Sequence, residues 1–286
     1  MVEGKTCLIT GASDGIGKET AISLATKGAH VIIVGRNQEK CESVVSEIRR
    51  NTKNSNVDFL LADLSLMREV SSLAERILYG YRRLDILINN AGAFFRKREL
   101  TEEGLERTFA LNHLNYFLLT HKLIPLLEHS PSARIINVAS MAHLRTDMDF
   151  ENLNGEKSWS WYSGGWNAYC RSKLANVMFT YKLSKKLNVK KITANCLHPG
   201  FVSSKFGNNN GLFSRSIIQT AKFFGAINVK KGSETSTYLA SSDEVEGVSG
   251  KYFAACSMKK SSRQSHIEKD IEKLWSVSED FTSEYL

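Results

Sequence analysis

The chain has 286 residues, of which 42% are hydrophobic and 24% charged, and its formal net charge is +8. This composition is ordinary for a soluble globular protein, and the length suffices for one sizeable core. The basic residues are scattered among acids, so we expect a solvated surface and no nucleic-acid partner. No apolar run approaches the length of a membrane span, and the N-terminus lacks a secretory signal.

The five cysteines are an odd number and lack the spacing of metal ligands, so no metal is expected. Cys7 and Cys196 fall in apolar runs, where a thiol behaves as a small core group. The sequence also contains no N-x-S/T glycosylation site. These features predict a cytoplasmic protein, with peripheral contact to a membrane left open.

The chain opens with a short apolar run, KTCLIT at 5–10, then a glycine-rich turn and a helix expected to run to about Lys27. A strand, a glycine turn and a helix form the phosphate-binding unit of a dinucleotide fold, because glycines let the backbone approach a pyrophosphate that faces the helix N-terminus. The spacing is G-x-x-x-G-x-G. The predicted cofactor contacts in this unit are Gly11, Ser13, Asp14, Gly15, Ile16 and Gly17.

Two other motifs overlap this turn. Residues 11–15 match the G-x-S-x-G nucleophile elbow of hydrolases, but that elbow lies deep in its sheet and here only ten residues precede it. A P-loop has four residues between its first glycine and its G-K-[S/T] sequence, whereas here five residues separate Gly11 from Gly17. Glu19 also occupies the position of the serine or threonine of a P-loop. The dinucleotide unit is therefore favoured.

The next strand, HVIIVG at 30–35, ends in Arg36. At this position an acid accepts a hydrogen bond from the ribose 2′-hydroxyl of NAD, whereas an arginine accommodates the 2′-phosphate of NADP. No acid occurs between His30 and Gln38. Two unit charges about 4 Å apart interact by roughly 4 kcal/mol at a surface-like dielectric before desolvation. The sequence thus predicts NADP(H), the alternative being that Arg36 is only a solvated charge.

Two later strand ends carry further cofactor candidates. The strand at 57–61 leads into Asp63 and Leu64, and the Asp63 carboxylate either accepts from an adenine amino group or caps the next helix. The strand at 85–88 leads into NNAG at 89–92. Small residues there let the chain pass against a flat cofactor. The alternative is a polar turn that stabilises the sheet end, and both interpretations are compatible.

The middle of the chain supplies two polar candidates. A long helix is expected to start at 101–104 and to contain Asn112, with Pro125 kinking or ending it. Asn112 lies among apolar residues and needs a hydrogen-bond partner such as an ordered water. The buried-strand pattern at 133–138 delivers Ser140 to the carboxyl end of its strand, where doubly wound sheets bind ligands. A lone serine there is otherwise a turn or cap residue.

Tyr169 and Lys173 lie four residues apart in a stretch whose apolar spacing predicts a helix to about Leu187. Residues four apart share one helical face, so the two side chains project together. A phenol has a pKa of about 10, and a neighbouring ammonium favours the phenolate, which suits proton exchange with an alcohol or carbonyl oxygen. The alternative is a solvated pair on a surface helix, since Y-x-x-x-K is a common pattern.

The remainder continues the alternation of strand and helix without repeats or linkers. Residues 1–286 are therefore expected to form one catalytic domain of the α/β class, with a single doubly wound Rossmann-type parallel sheet and helices on both faces. The elements expected after Leu187 are a strand at 192–197, a substrate flap at about 201–230, a helix at 233–240, an edge strand at 251–254 and a C-terminal tail at about 256–286, helical near 267–275.

The motifs occur in one order on suitable elements, and jointly they are specific: TGxxxGxG at 10–17, NNAG at 89–92, Asn112, Ser140, Y-x-x-x-K at 169–173 and PG at 199–200. This set resembles the short-chain dehydrogenase/reductase superfamily over roughly residues 4–255. The retinol dehydrogenase-like branch, which includes the WW-domain oxidoreductase, is similar in further detail. The pieces that carry this similarity are GIGKET at 15–20, LNHL at 111–114, YCRSKLAN at 169–176 and HPG at 198–200.

The resemblance implies four catalytic residues. Tyr169 would be the general acid/base, Ser140 would donate a hydrogen bond to the substrate oxygen, and Lys173 would hold the nicotinamide ribose and lower the tyrosine pKa. Asn112 would hold a water of the proton relay. The further cofactor contacts that the resemblance implies are Asn89, Ala91, Gly92, Tyr169, Lys173, Pro199, Gly200, Val202 and Ser204.

Two features depart from the branch. Ala139 replaces a serine that is common there, although Ser140 keeps the catalytic place. Membrane-bound relatives carry an N-terminal anchor, whereas here the domain starts almost at Met1, which argues against membrane residence and against a retinoid as the physiological substrate.

We therefore expect an NADP(H)-dependent oxidoreductase that interconverts an apolar alcohol and its aldehyde or ketone. Aromatic residues at 144–166 and 201–227 flank the catalytic strand ends and would line an apolar cleft, or alternatively pack the flap or another surface. Surplus apolar residues in the helices around Asn112 and Tyr169 suggest a homodimer. Two other functions stay open on this fold: a cofactor-binding regulator or scaffold, and an epimerase- or dehydratase-type enzyme.

Overall fold

The computed structural model describes residues 2–160, 163–202 and 228–286. The strands are β1 (Thr6–Thr10), β2 (His30–Gly35), β3 (Val57–Leu61), β4 (Ile86–Asn89), β5 (Ala133–Val138), β6 (Ile192–Leu197), β7 (Tyr252–Ala254) and β8 (Ser257–Lys259). The helices are α1 (Gly15–Thr26), α2 (Gln38–Thr52), α3 (Met67–Gly80), α4 (Arg107–Phe109), α5 (Asn115–Glu128), α6 (Gly164–Lys186), α7 (Val229–Ser241) and α8 (Glu268–Thr282). A π-helical segment, Ala110–Leu114, joins α4 to α5.

Within the described residues the strands form one sheet, in the order β3-β2-β1-β4-β5-β6-β7-β8. The first seven strands run parallel, and β8 is antiparallel to β7. Parallel neighbours need crossover connections, which the helices supply. The predicted α/β fold with a doubly wound parallel sheet is confirmed.

Each central strand contributes side chains to two hydrophobic cores, one on each face of the sheet, because successive side chains of a strand point to opposite faces. Leu8 of β1 pairs with Leu87 of β4, and both pack with residues of α3, α5, α6 and α8. Ile9 pairs with Ile88, and both pack with residues of α1, α2 and α7. All four side chains are completely buried, so β1 and β4 are held rigidly between the two helical layers.

The strand order reverses at β1, since the chain moves outward to β2 and β3 and then returns to β4 on the other side. In doubly wound sheets, ligands bind in the crevice outside the carboxyl ends of the strands at such a switch point. The glycine turn follows β1 and the NNAG segment follows β4. Both motifs therefore meet at this crevice.

The C-terminal helix α8 covers the apolar face that suggested a homodimer. The ring of Trp275 lies 5.1 Å from that of Phe117 on α5 and 5.9 Å from that of Phe179 on α6. Ion pairs at the rim join α6 to α8, between Lys182 and Glu272 and between Lys185 and Glu268. The premise of the dimer prediction, an unpaired apolar face, is thus wrong. The residues on which it rested are each at most 2% exposed: Phe117, Leu118, Leu119, Val177, Met178 and Phe179.

Residues 251–254 were predicted as an edge strand; residues 252–254 do form a strand, but its edge position is wrong. β7 pairs with β6 on one side and with β8 on the other, so β8 is the outer strand among the described residues. The connection uses Ala255 and Cys256, with φ of 48° and 57°. Two consecutive left-handed residues are typical of a two-residue hairpin turn, but alanine and cysteine are not the residues that signal one.

The predicted helix start at 101–104 is also wrong. Residues 100 and 106 form an antiparallel bridge instead, and Gly104 has φ of +75°. The helix begins at Arg107, because both carboxylate oxygens of Glu106 accept main-chain hydrogen bonds from Thr108 and Phe109, each 2.9 Å long. Pro125 does not end the helix, which continues to Glu128.

Among the residues that the structure describes, no helix combines the length and the apolar character needed to cross a membrane. The cytoplasmic location stays a prediction.

Candidate active site

The glycine turn packs directly on the NNAG segment. Gly11 has φ of +65°, and a Cβ on it would lie 2.7 Å from the Cα of Ala91. A Cβ on Gly17 would lie 2.6 Å from the side-chain nitrogen of Asn90. Gly15, the first residue of α1, has φ of +58°. Any larger residue at Gly11 or Gly17 would displace the neighbouring chain, so both glycines are required by this packing, and the approach of the turn to a pyrophosphate stays a prediction.

A threonine–asparagine clamp fixes the two strand ends to each other. Thr10 Oγ1 accepts hydrogen bonds from the main-chain nitrogens of Asn90 (2.9 Å) and Ala91 (3.0 Å). The Asn90 side chain donates to the Thr10 carbonyl at 2.8 Å. Asp14 caps α1 by accepting from the main-chain nitrogen of Gly15 at 2.8 Å. The N-terminus of α1 therefore opens at the crevice, in the arrangement that binds anionic groups.

Arg36 lies at the carboxyl end of β2, beside the glycine turn, since a Cβ on Gly35 would lie 3.1 Å from the Cβ of Ser13. The Arg36 guanidinium is 4.0 Å from the Asp63 carboxylate, and its side chain is 57% exposed. Sequence reasoning did not anticipate this pair. An exposed ion pair at such a distance contributes little to stability, so the guanidinium is accessible to a ligand.

Asp63 does not cap α3, whose N-cap residue is Leu66. It closes a turn by accepting hydrogen bonds from the main-chain nitrogen (2.9 Å) and the hydroxyl (2.7 Å) of Ser65. Burial acts to raise the pKa of Asp63, but the hydrogen bonds from Ser65 and the charges of Arg36 and Arg107 hold it below its ordinary value. Asp63 is thus an anion at neutral pH, and its contact with an adenine stays a prediction.

Asn89 is completely buried. Its amide nitrogen donates to Thr120 Oγ1 and to Asn137 Oδ1, both at 2.9 Å. These bonds tie β4 to α5 and β5, so the side chain serves the sheet end, which is the second of the two interpretations that the sequence allowed. The Leu64 side chain is likewise buried in the core. Cofactor contacts of both residues stay predictions.

Asn112 lies in the middle of the π-helical segment. Its Oδ1 accepts from the main-chain nitrogen of Ala93 (2.9 Å), and its Nδ2 donates to the Ala93 carbonyl and to Ser172 Oγ, both at 3.0 Å. The Asn112 carbonyl accepts from the side chain of Asn176 at 2.9 Å. Its side chain is therefore satisfied by protein groups, and its binding of a water of the proton relay stays a prediction. Single π-helical turns are frequent at functional sites.

Tyr169, Lys173 and Ser140 meet where α6 crosses the end of β5. Lys173 Nζ donates to the Val138 carbonyl at 2.9 Å and lies 5.9 Å from the centre of the Tyr169 ring. The Ser140 and Tyr169 side chains are hydrogen-bonded to each other. A Cβ on Gly92 would lie 3.2 Å from Lys173 Nζ, so the NNAG segment borders this cluster.

Burial decides the protonation of this cluster. It raises the pKa of Tyr169 to about 12, although the hydrogen bond with Ser140 acts in the opposite direction. Burial lowers the pKa of Lys173 to about 7. The tyrosine pKa is thus raised, contrary to the predicted lowering by Lys173. At neutral pH Tyr169 is a phenol that has a proton to give.

Apolar side chains surround the phenol. The Phe94 ring stands edge-on to Tyr169 at 6.2 Å, and the Trp166 ring stacks on it at 5.7 Å. Trp166 is nevertheless 44% exposed, as is Met141, which directly follows the serine, and Phe201 is 55% exposed. Exposed apolar residues beside a buried acid–base pair are typical of the wall of a ligand cleft.

The segment after β6 returns to the glycine turn. Gly200 has φ of +86°, which favours glycine, and Pro199 precedes it. A Cβ on a glycine of α7 would lie 2.7 Å from Val202 and 3.4 Å from Ile16. Val202 is therefore close to the start of α1. Ser204 and most of the predicted flap lie outside the described residues.

Sequence reasoning missed two residues of α6 that hold the site. Ser172 Oγ accepts the hydrogen bond from Asn112 and donates to the Tyr169 carbonyl at 2.7 Å. Asn176, which holds the Asn112 carbonyl, also lies 3.3 Å from His113 Nδ1. Each follows a catalytic candidate of the same helix by three residues, a spacing that places side chains together and that would have revealed them.

This geometry unites two chemical capacities. A helix N-terminus and a glycine turn form an anion site at the switch point. A buried phenol, a serine hydroxyl and a lysine beside it form a unit that exchanges a proton with an alcohol or carbonyl oxygen.

The chain matches the family model of the short chain dehydrogenases over residues 5–151. It is 38% identical to human retinol dehydrogenase 13 over 284 residues, which span 97% of this chain and 84% of that protein. It is 41% identical to mouse retinol dehydrogenase 12 over 278 residues, spanning 97% of this chain and 86% of the relative.

Solved structures agree. A protein from Mycobacterium paratuberculosis is 29% identical and similar in structure with a TM-score of 0.77, covering 98% of this chain and 94% of its own. A short-chain dehydrogenase from Shigella flexneri 2a, solved in complex with NADP, is 25% identical with a TM-score of 0.68, covering 90% and 98% of the two chains. With the fold, the ordered motifs and the acid–base cluster in agreement, the chain belongs to the short-chain dehydrogenase family of oxidoreductases, in its retinol dehydrogenase-like branch.

Proposed function

We propose that this protein is an NADP(H)-dependent oxidoreductase that interconverts a bulky apolar alcohol and its aldehyde or ketone. The observation that carries the proposal is the convergence of Ser140, Tyr169 and Lys173 beside the crevice of the glycine turn. A regulator that only binds a cofactor has no need of a buried phenol hydrogen-bonded to a serine. The enzyme is therefore favoured over a scaffold on the same fold.

The residues at the crevice fit a nicotinamide dinucleotide. The N-terminus of α1 would receive the pyrophosphate. A side chain on Gly92 would press on Asn112 and Lys173, each 3.2 Å from its Cβ, so the glycine leaves a surface for a flat ring. The exposed Arg36 guanidinium would hold a 2′-phosphate. The NADP complex of the Shigella relative supports this choice.

A bound nicotinamide supplies or accepts the hydride, and this chain handles the proton. In the direction of reduction the Tyr169 phenol gives its proton to the carbonyl oxygen of the substrate. The Ser140 hydroxyl donates a hydrogen bond to the same oxygen and so polarises the carbonyl. The Lys173 ammonium offsets the charge of the phenolate that remains. Oxidation of the alcohol runs through the same groups in reverse.

The substrate class follows from the walls of the cleft. Phe94, Trp166 and Met141 offer apolar surface around or next to the reacting groups. Burying the equivalent of one apolar side chain contributes roughly 1.5–3 kcal/mol, so each added segment of an apolar substrate should tighten binding. The relatives named as retinol dehydrogenases support a large apolar alcohol or aldehyde.

The test is the turnover of purified protein on a homologous aldehyde series, from short aliphatic to retinal-sized, with NADPH and with NADH. We expect kcat/KM to rise by at least about tenfold along the series and to be higher with NADPH. A small anionic carbonyl such as pyruvate is the control and should react poorly. A flat profile contradicts the substrate class, and equal rates with NADH contradict the cofactor choice. Tight NADPH binding without turnover of any carbonyl would favour the regulator.

A further inference from the structure

A buried histidine connects the catalytic serine to the C-terminal segment. His143 lies in the 3-10 helix Met141–Arg145, which follows Ser140, and it is completely buried. Its Nδ1 is 2.7 Å from the Ser140 carbonyl oxygen, and its Nε2 is 3.2 Å from the main-chain nitrogen of Ser262. The imidazole also packs on the ring of Tyr252 in β7, with 4.8 Å between centres.

The partners determine the tautomer of His143. A carbonyl oxygen only accepts, so Nδ1 must carry the proton, and a main-chain N–H only donates, so Nε2 must present its lone pair. If the imidazole were charged, Nε2 would also carry a proton and would face the main-chain N–H of Ser262. The hydrogen bond between Ser262 and Nε2 would then be lost. Burial lowers the pKa of His143, although the hydrogen bond to Ser140 opposes this, and the neutral form is favoured.

The bonds of His143 act on the main chain of the serine. The Ser140 carbonyl accepts from both the main-chain nitrogen (3.2 Å) and the ring of His143. The Ser140 hydroxyl in turn accepts from the main-chain nitrogen of Ala142 at 3.2 Å. Ser140 sits between the end of β5 and a short helix, so these bonds determine where its hydroxyl points.

We infer that His143 is a positioning residue, which holds Ser140 in register with Tyr169 and anchors that arrangement to the C-terminal segment through Ser262. Because one ring nitrogen is matched to the Ser140 carbonyl and the other to the Ser262 main chain, the ring fixes these two segments relative to each other. The inference rests on the proposed carbonyl reduction, because Ser140 acts on the substrate oxygen in that reaction. It adds a residue that contacts neither substrate nor cofactor.

Three substitutions separate the two bonds. His143→Asn places an amide nitrogen near the position of Nδ1 and keeps the bond to Ser140. His143→Gln places its amide oxygen near Nε2 and keeps only the bond to Ser262. His143→Leu removes both. His129 is the matched control, since it is exposed and its Nδ1 also contacts a carbonyl, that of Arg82, at 3.1 Å.

The expected result is a fall in kcat of roughly tenfold to a hundredfold in the Leu and Gln variants of residue 143, because small displacements of a reacting group cost about that much. KM for NADPH should stay within about twofold. The Asn variant should recover most of kcat, and His129→Leu should match the wild type. Rates are measured well below each variant's Tm, so that unfolding does not contribute. A Leu variant with wild-type kcat, or an Asn variant as slow as the Leu variant, would overturn the inference.

A spectroscopic measurement of the His143 tautomer tests the inference independently of turnover. In protein labelled with ¹⁵N-histidine, the resonance that disappears in His143→Leu should show the Nδ1–H tautomer at neutral pH. An Nε2–H tautomer or an imidazolium would overturn the inference even if the enzyme is active. Failure of the wild type to reduce any carbonyl, together with the Nδ1–H tautomer, would instead count against the proposed function and remove the catalytic role of His143 with it.

Discussion

The cofactor half of the molecule, from β1 to the NNAG segment, and the catalytic half, from α4 to α8, are built in different ways. In the cofactor half the functional groups are largely main-chain, and glycines place them: Gly11 and Gly17 let the turn touch the NNAG segment. In the catalytic half the functional groups are side chains, and distant residues place them. Asn112 is held by Ser172, 60 residues later, and the His143 ring by Ser262, 119 residues later.

This contrast shows which part of such a site a local sequence pattern can encode. A turn that needs left-handed backbone and close contact carries its own signature in glycines. A buried phenol and a buried ammonium acquire their pKa values from everything packed around them. The two halves should therefore respond differently to substitution.

The largest effect should come from Tyr169→Phe, which removes the proton donor of the catalytic half and leaves the cofactor half untouched. We expect kcat to fall by about 10² to 10⁴, with the Kd for NADPH within about twofold. The control is Tyr181→Phe on the same helix, where the lost hydroxyl is hydrogen-bonded to Ser261 and Ser265. Near-normal turnover of Tyr169→Phe would remove this residue from the mechanism.

Trp275→Ala tests the dependence of the catalytic half on its C-terminal cover. The indole packs on Phe117 and Phe179, so its loss should reduce the free energy of unfolding by about 3–5 kcal/mol. Urea denaturation measures the change. Tyr79→Ala, at a residue that is 97% exposed, is the control and should change stability by at most about 0.5 kcal/mol. A loss below about 1 kcal/mol for Trp275→Ala would show that α8 is a loose appendage.

Arg36→Asp tests the cofactor half by itself. An acid here would repel a 2′-phosphate, together with Asp63 nearby, and would accept from a free 2′-hydroxyl. We expect the ratio of the Kd values for NADPH and NADH to change by at least about tenfold in favour of NADH. Arg50→Asp, exposed at the far end of α2, is the control. An unchanged ratio in Arg36→Asp would show that Arg36 is only a surface charge.

A further effect concerns pH. Reduction needs the Tyr169 phenol and oxidation needs its phenolate. Since burial raises the pKa of Tyr169 to about 12, against the opposing hydrogen bond with Ser140, the phenol predominates around neutral pH. Between about pH 8 and pH 10, above the pKa of about 7 of Lys173, kcat/KM for oxidation should rise by at most about tenfold per pH unit, while that for reduction stays level or falls. Equal slopes in the two directions would contradict the assignment.

Much of the fold was predictable because buried parallel strands are apolar runs bounded by turn residues. The limits of β2, β3, β5 and β6 agree with the prediction residue for residue. The misses have a common origin in contacts that no local pattern shows. β8 is three exposed residues without alternation, and the helix start at Arg107 depends on the side chain of Glu106.

The site divides in the same way. The residue types of the site and their order were predictable, because each site residue lies at a strand end or on one helical face. The environment of each site residue was not predictable from the sequence. The partners of Asn112, the pairing of Arg36 with Asp63 and the depressed pKa of Lys173 arise from packing between segments far apart in the chain.

The most direct test of the account follows the hydride. The protein is incubated with a long-chain aldehyde and NADPH that carries deuterium at C4 of the nicotinamide, each stereochemical form in turn, and the alcohol is analysed by mass spectrometry. The account predicts that one of the two forms yields alcohol with one deuterium on the carbinol carbon, and that Tyr169→Phe slows its formation by about 10² or more. Alcohol without deuterium from both forms, or no alcohol from a protein that binds NADPH, would contradict it.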